Sequence, residues 1–200
     1  MRGMLILLFV FMLSLRSYSQ HSDTLNYAIV VSNDTIGKLI AIRKVNPDNS
    51  IVYDVNSIAR YKFLFSFNIN FDYQTKFDAD MIVSRTDFIY KFNGKIKEEN
   101  KLERNSSGYD IYMEGKFIRS TIGYYSQTAL SMYFTEPDIS KPILSERFLE
   151  PIKIEHLGNH KYRVEFPTED VNYYQYRDDG ICEKISIDMT IVDMEIRLIE

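Results

Sequence analysis

The chain is 200 residues long and has one cysteine, three histidines and no tryptophan. A single cysteine, Cys182, excludes an internal disulfide, and no activating histidine lies beside it in sequence, so it reads as a strand side chain and not as a nucleophile. Lysine and arginine form no block, and the formal net charge is −4. A mildly acidic chain of this kind is not built for nucleic acid or an anionic membrane surface. There is no glycine-rich phosphate loop, no dinucleotide fingerprint and no serine in a glycine elbow. The one apolar run, Leu5 to Leu13, is about nine residues, whereas a membrane-spanning helix needs about 20. With Arg2 before it and Ser17-Tyr18-Ser19 after it, residues 1–19 read as an export signal, with Gln20 as the first mature residue. Removing Arg2 and Arg16 leaves 22 Lys and Arg against 28 Asp and Glu, a formal charge of −6. Paired cysteines are common in exported eukaryotic proteins, so their absence favours bacterial export. No cysteine stands at the cleavage point, which excludes a lipoprotein. The expected location is periplasmic or secreted, and residues 20–200 are expected to form a single domain.

Aromatic rings are plentiful: 15 Tyr and 13 Phe. They concentrate in Tyr61 to Tyr73, where Tyr61, Phe63, Phe65, Phe67, Ile69, Phe71 and Tyr73 hold the odd positions. The even positions are mostly polar. Period-two alternation is the mark of a strand with one buried and one wet face. Thirteen residues of strand would reach about 43 Å, so a bend or tight turn near Ser66, or a strongly coiled strand, is expected.

The rest of the chain reads as strands at hairpin spacing. Asn46-Pro47-Asp48-Asn49 is a strong turn. Gly37 sits where a strand glycine marks a bulge or a close backbone approach. Phe88, Tyr90 and Phe92 share a face and run into Asn93-Gly94, a dipeptide suited to the positive φ of a two-residue hairpin. The charged run Lys95 to Glu103 reads as a solvated edge strand. A short helix is expected near residues 126–135, capped by Ser126, with Leu130 and Phe134 on one face. Near Met189 to Val192 the apolar phase flips, which requires a bulge or turn. Consecutive hairpins predict an all-β fold, an antiparallel meander of about ten or eleven strands curled into a barrel-like or half-barrel sheet.

Candidate chemistry is sparse. His156 and His160 flank a turn and would face each other across a three-residue loop, but a zinc site needs a third ligand. Asp178-Asp179 and Glu98-Glu99 read as solvated carboxylates. Ser145-Glu146-Arg147 could bury a bonded Glu–Arg pair. Asp23-Thr24-Leu25 and Asp34-Thr35-Ile36 resemble a short O-glycosylation acceptor, though a strand start and a turn explain them as well. The candidate ligand-binding residues are Phe63, Phe65, Phe67, Phe71, Tyr73, Tyr133 and Arg147. No catalytic residue, metal ligand or cofactor is expected.

Several segments carry a resemblance: Ile36-Gly37 after the Tyr27 strand, Phe63-Leu64-Phe65-Ser66-Phe67, and Tyr90 to Lys95. So do Leu130 to Phe134 with Glu136-Pro137, and Ser145-Glu146-Arg147-Phe148. Together they resemble a family of small exported bacterial proteins catalogued only as a domain of unknown function. The resemblance implies an antiparallel barrel-like fold and export to the envelope, and it supplies no active residue. The expected role is a non-enzymatic envelope protein that binds a hydrophobic or lipid-like small molecule on an aromatic-lined sheet face. The alternative is a structural or protein-interaction module with a solid core, whose partner would be an envelope protein. The mature chain is expected to have no integral membrane span.

Overall fold

The computed structural model describes residues 20–62, 66–188 and 194–199. The expected export signal lies outside them, as do Phe63, Phe65 and the phase change expected at Met189 to Val192. Among the described residues, fourteen antiparallel strands form one sheet. The first meander comprises β1 (His21–Val31), β2 (Asp34–Val45), β3 (Ile51–Lys62), β4 (Ser66–Phe77), β5 (Val83–Phe92), β6 (Lys95–Arg104), β7 (Gly108–Met113) and β8 (Lys116–Ile122). The second comprises β9 (Ile143–Leu144), β10 (Pro151–Gly158), β11 (Lys161–Glu165), β12 (Val171–Tyr176), β13 (Cys182–Ile187) and β14 (Met194–Ile199). Pairing of β1 with β14 joins the two, which leaves β8 and β9 as the edges. Residues 123–142 run from one edge to the other.

The antiparallel curled sheet matches the expectation from alternation, with more strands than the ten or eleven predicted. Tyr61 to Tyr73 is not one strand. β3 runs through Tyr61 to Lys62, β4 begins at Ser66, and Tyr61 opposes Phe67, so the expected bend is a full reversal. Lys95 to Glu103 is not an edge, because β6 pairs with β5 and β7. Glu98, Asn100 and Leu102 turn inward, the last two buried, and Lys101 and Glu103 turn outward. At Asn93-Gly94 both residues adopt positive φ (49° and 79°), as the two-residue hairpin requires. Gly37 lies beside a register shift between Ile29 and Val30, and its backbone presses against Ile58 and Ala59 of β3.

The helix expected near residues 126–135 is only a single 3-10 turn, Ser131–Tyr133. The backbone here is committed elsewhere: the Ala129 N–H donates to the Leu144 carbonyl (2.9 Å) and the Leu144 N–H to the Gln127 carbonyl (3.1 Å). An α-helix begun at Ser126 would need the Gln127 carbonyl to accept from the Ser131 N–H. Instead the segment plugs one end of the barrel. Leu130, Met132, Tyr133 and Phe134 are buried against the inner wall. Tyr133 meets Tyr27 at 5.4 Å between ring centroids, and Phe134 meets Tyr53 at 5.6 Å. The Tyr27 hydroxyl donates to the Cys182 carbonyl at 2.8 Å, tying β1 to β13 through the interior.

The outer face carries cross-strand ion pairs: Lys44–Asp54 (3.0 Å), Lys91–Asp72 (2.8 Å) and Arg85–Glu103 (2.7 Å). A lipid-facing barrel wall carries an apolar band instead. Among the described residues no helix is long and apolar enough to cross a membrane.

Candidate functional site

The plug fills one half of the interior, and the other half is lined by rings. The register stacks inward-facing residues of β3, β4, β5 and β6 in rows. Val55, Tyr73, Phe88 and Asn100 form one row, and Ser57, Phe71, Tyr90 and Glu98 the next. Ala59, Ile69 and Phe92 form a third, and Phe67 ends the series beside the reversal. The first row touches the core through Val55 and Tyr73. Beyond it, Phe67, Ile69, Phe71, Tyr90 and Phe92 lie outside the core cluster and are half-buried. The rings of the wall pack in contact: Phe71 stacks on Tyr90 (4.9 Å), and Tyr73 lies tilted on Phe88 (4.8 Å) and Phe67 on Phe92 (5.6 Å). From Tyr73 to Phe67 this shelf extends about 20 Å at about 3.3 Å per residue.

A polar pair closes one end. Arg147 approaches Glu98 through two nitrogens, at 3.0 and 3.1 Å. Its guanidinium carbon stands 5.1 Å from the Phe148 ring centroid and 6.0 Å from that of Phe88. Asn100 holds both partners, donating to the Glu98 carboxylate (2.9 Å) and to the Arg147 carbonyl (2.6 Å). Glu98 is directly opposite Tyr90, so the pair adjoins the shelf.

Beneath the shelf lies a second carboxylate. Glu146 is 1% exposed. It accepts hydrogen bonds from the Thr75 hydroxyl (3.0 Å) and the Leu130 N–H (3.2 Å), which ties β4 to the plug. Burial pushes its carboxyl up to about 6, while hydrogen bonds from Thr128, Leu130 and Thr75 act in the opposite sense. The expected Glu146–Arg147 pair does not form: both residues lie in a turn, closed by the Leu149 N–H donating to the Ser145 carbonyl (2.8 Å), and their side chains diverge. Glu146 goes inward and Arg147 to Glu98. Burial likewise raises the phenols of Tyr73 and Tyr133 above their ordinary value.

Of the residues predicted from sequence, Phe67, Phe71 and Tyr73 share the shelf and Arg147 stands at its end. Tyr133 belongs to the plug, and Phe63 and Phe65 lie outside the described residues. Phe88, Tyr90, Phe92 and Glu98 were missed as site residues. The shared face of the three rings was visible in their spacing, and Glu98 was hidden in a run of charge. The histidines do not face each other. Asn159 and His160 themselves form the tight turn, with positive φ at both, and His156 opposes Tyr162. His160 Nδ1 lies 2.6 Å from Glu136 Oε1, and no metal-binding group of three ligands exists among the described residues. Cys182 is buried, which pushes its thiol far above the ordinary range.

The family model catalogued as Domain of unknown function (DUF6134) matches residues 27–199. The chain belongs to the DUF6134 family. No curated protein matches it. Among solved structures, it is similar to a β-barrel-like protein of domain of unknown function DUF1849 from Brucella abortus. The TM-score is 0.61 at 9% identity, over 88% of this chain and 95% of that one. At that identity the likeness speaks for the fold alone. It agrees with the DUF6134 chain being a curled antiparallel wall, and no enzymatic family is indicated.

Proposed function

We propose that this DUF6134 protein is an exported, non-enzymatic envelope protein whose aromatic shelf holds the apolar part of a lipid-like small molecule. The observation that carries the reading is the ring ladder of β4 and β5. Six aromatic side chains stack on the inner side of the wall, and four of them, Phe67, Phe71, Tyr90 and Phe92, stay half-buried outside the core. Apolar rings in a concave wall with a few polar groups at one end are the usual make-up of a small-molecule site. Support for export comes from residues 1–19, with Arg2, the apolar run Leu5 to Leu13 and Ser17-Tyr18-Ser19.

Native mass spectrometry of the mature protein from its own host, followed by titration with a fluorescent acyl probe, tests the proposal. A lipid-sized adduct, or saturable uptake of the probe after delipidation, is expected. A ligand-free mass together with no uptake overturns it.

The filled lower half of the barrel favours a second reading, an interaction module that works through its surface. The strand that would then matter is β8, an edge with Phe117 and Ile118 exposed. On that reading a partner strand pairs with β8, and shelf substitutions leave partner binding unchanged.

A further inference from the structure

We infer that the Glu98–Arg147 pair selects a ligand whose polar end carries no net charge, such as a hydroxyl, ester, amide or zwitterionic head, and excludes free fatty acids. The inference rests on the shelf being the apolar half of a ligand site. An arginine beside an apolar groove would by itself suggest an anionic head group. Here the guanidinium already has its counter-ion: Glu98 meets it through two nitrogens, and Asn100 fixes both partners. The side chains of Arg147 and Glu98 are 39% and 27% exposed, so the pair can be reached from solvent and is still partly dehydrated.

An incoming carboxylate would gain attraction from Arg147 and suffer comparable repulsion from Glu98. It would also lose its hydration, a cost that nothing at the site offsets. An alkylammonium meets the same balance with the signs reversed. An uncharged or zwitterionic head loses less hydration. It finds guanidinium N–H donors not used by Glu98 and carboxylate lone pairs not used by Arg147. Glu98 therefore acts as a specificity-determining residue, through the charge that it cancels.

The test uses the full mature chain, delipidated, with a bound fluorescent acyl probe displaced by monolaurin, laurate or dodecyltrimethylammonium at about pH 8, where laurate is ionised. Wild type is expected to bind monolaurin at least about tenfold more tightly than either ion, the size of effect that one uncompensated charge at close range supports. Glu98→Gln keeps the shape and the acceptor oxygen but frees the charge of Arg147. It should tighten laurate about tenfold relative to monolaurin. Arg147→Gln, which frees the opposite charge, should tighten the alkylammonium and weaken laurate, giving a second reading should Glu98→Gln fail to fold. If laurate binds wild type as tightly as monolaurin, the inference is overturned and the shelf stands. If Glu98→Gln leaves the order of the three unchanged, the inference is likewise overturned. If neither the probe nor any competitor binds, the shelf itself is refuted and the inference goes with it.

Discussion

Replacing Glu146 by Gln should make the protein more stable at neutral pH and remove a pH dependence that the wild type shows. The carboxyl is 1% exposed, and no Lys, Arg or His among the described residues forms an ion pair with it. Its hydrogen bonds from Thr75 and Leu130 compensate only part of the dehydration, so its pKa rises from 4.5 to about 6. A raised carboxyl pKa means that the folded chain binds the proton more tightly than the unfolded chain does. Stability from this group is therefore fully present below about pH 4.5, falls as pH rises through about 6, and is level above. At about 1.4 kcal/mol per pKa unit, the loss is about 2 kcal/mol, or roughly 4–8 °C in midpoint for a domain of this size. Glutamine has no proton to lose, and its amide can meet the same hydroxyl and N–H. Thermal midpoints of wild type and Glu146→Gln, measured from about pH 4 to about pH 8, supply the test. The other carboxylates titrate in both proteins, including Asp23, which its hydrogen bond to Arg43 holds low, so the difference curve isolates Glu146. The difference should grow by about 2 kcal/mol across that range. Parallel curves would refute the reasoning. So would a variant that is less stable at every pH, because that would mean the ionised hydrogen bonds outweigh the dehydration.

Three further outcomes are expected. Gly37→Ala places a Cβ 2.7 Å from the Ala59 Cα and still closer to the Ile58 carbonyl. Both are backbone atoms with no rotamer to yield, so a loss of at least about 2 kcal/mol should appear in denaturant melts. Tyr27→Phe deletes a buried 2.8 Å hydrogen bond and should cost about 1 kcal/mol, whereas the buried Tyr176 hydroxyl has no hydrogen-bond partner among the described residues, so Tyr176→Phe should be neutral or stabilising in the same melts. Cys182, fully buried with a raised thiol pKa, should resist a thiol reagent in the native protein and react once it is denatured.

Local chemistry carried most of the fold. The alternation in β4 and β5 and the Asn93-Gly94 turn depend on neighbours in sequence and were legible there; Gly37 marked a close approach, but its partners Ile58 and Ala59 lie on the next strand. What failed depends on partners far along the chain. The spacing of Leu130 and Phe134 suits a helix, but pairing with Leu144 takes the Gln127 carbonyl that a helix would use. The charges of Lys95 to Glu103 suggested an edge because sequence does not show that β7 covers β6 or that Glu98 turns inward. Glu98 and Arg147 are 49 residues apart, so their pairing exists only in the folded wall. Half the candidate site was therefore readable as a run of rings, and its polar end was not.

The most direct measurement is a ring-resolved NMR titration of the delipidated mature protein with monolaurin. Shifts should concentrate on Phe67, Phe71, Tyr73, Phe88, Tyr90 and Phe92, and the wall ring Tyr27 and the plug rings Tyr133 and Phe134 should hold still. Silence on the shelf at saturating ligand, or shifts that cluster instead on Phe117 at the β8 edge, would contradict the assignment of this wall to a small apolar ligand.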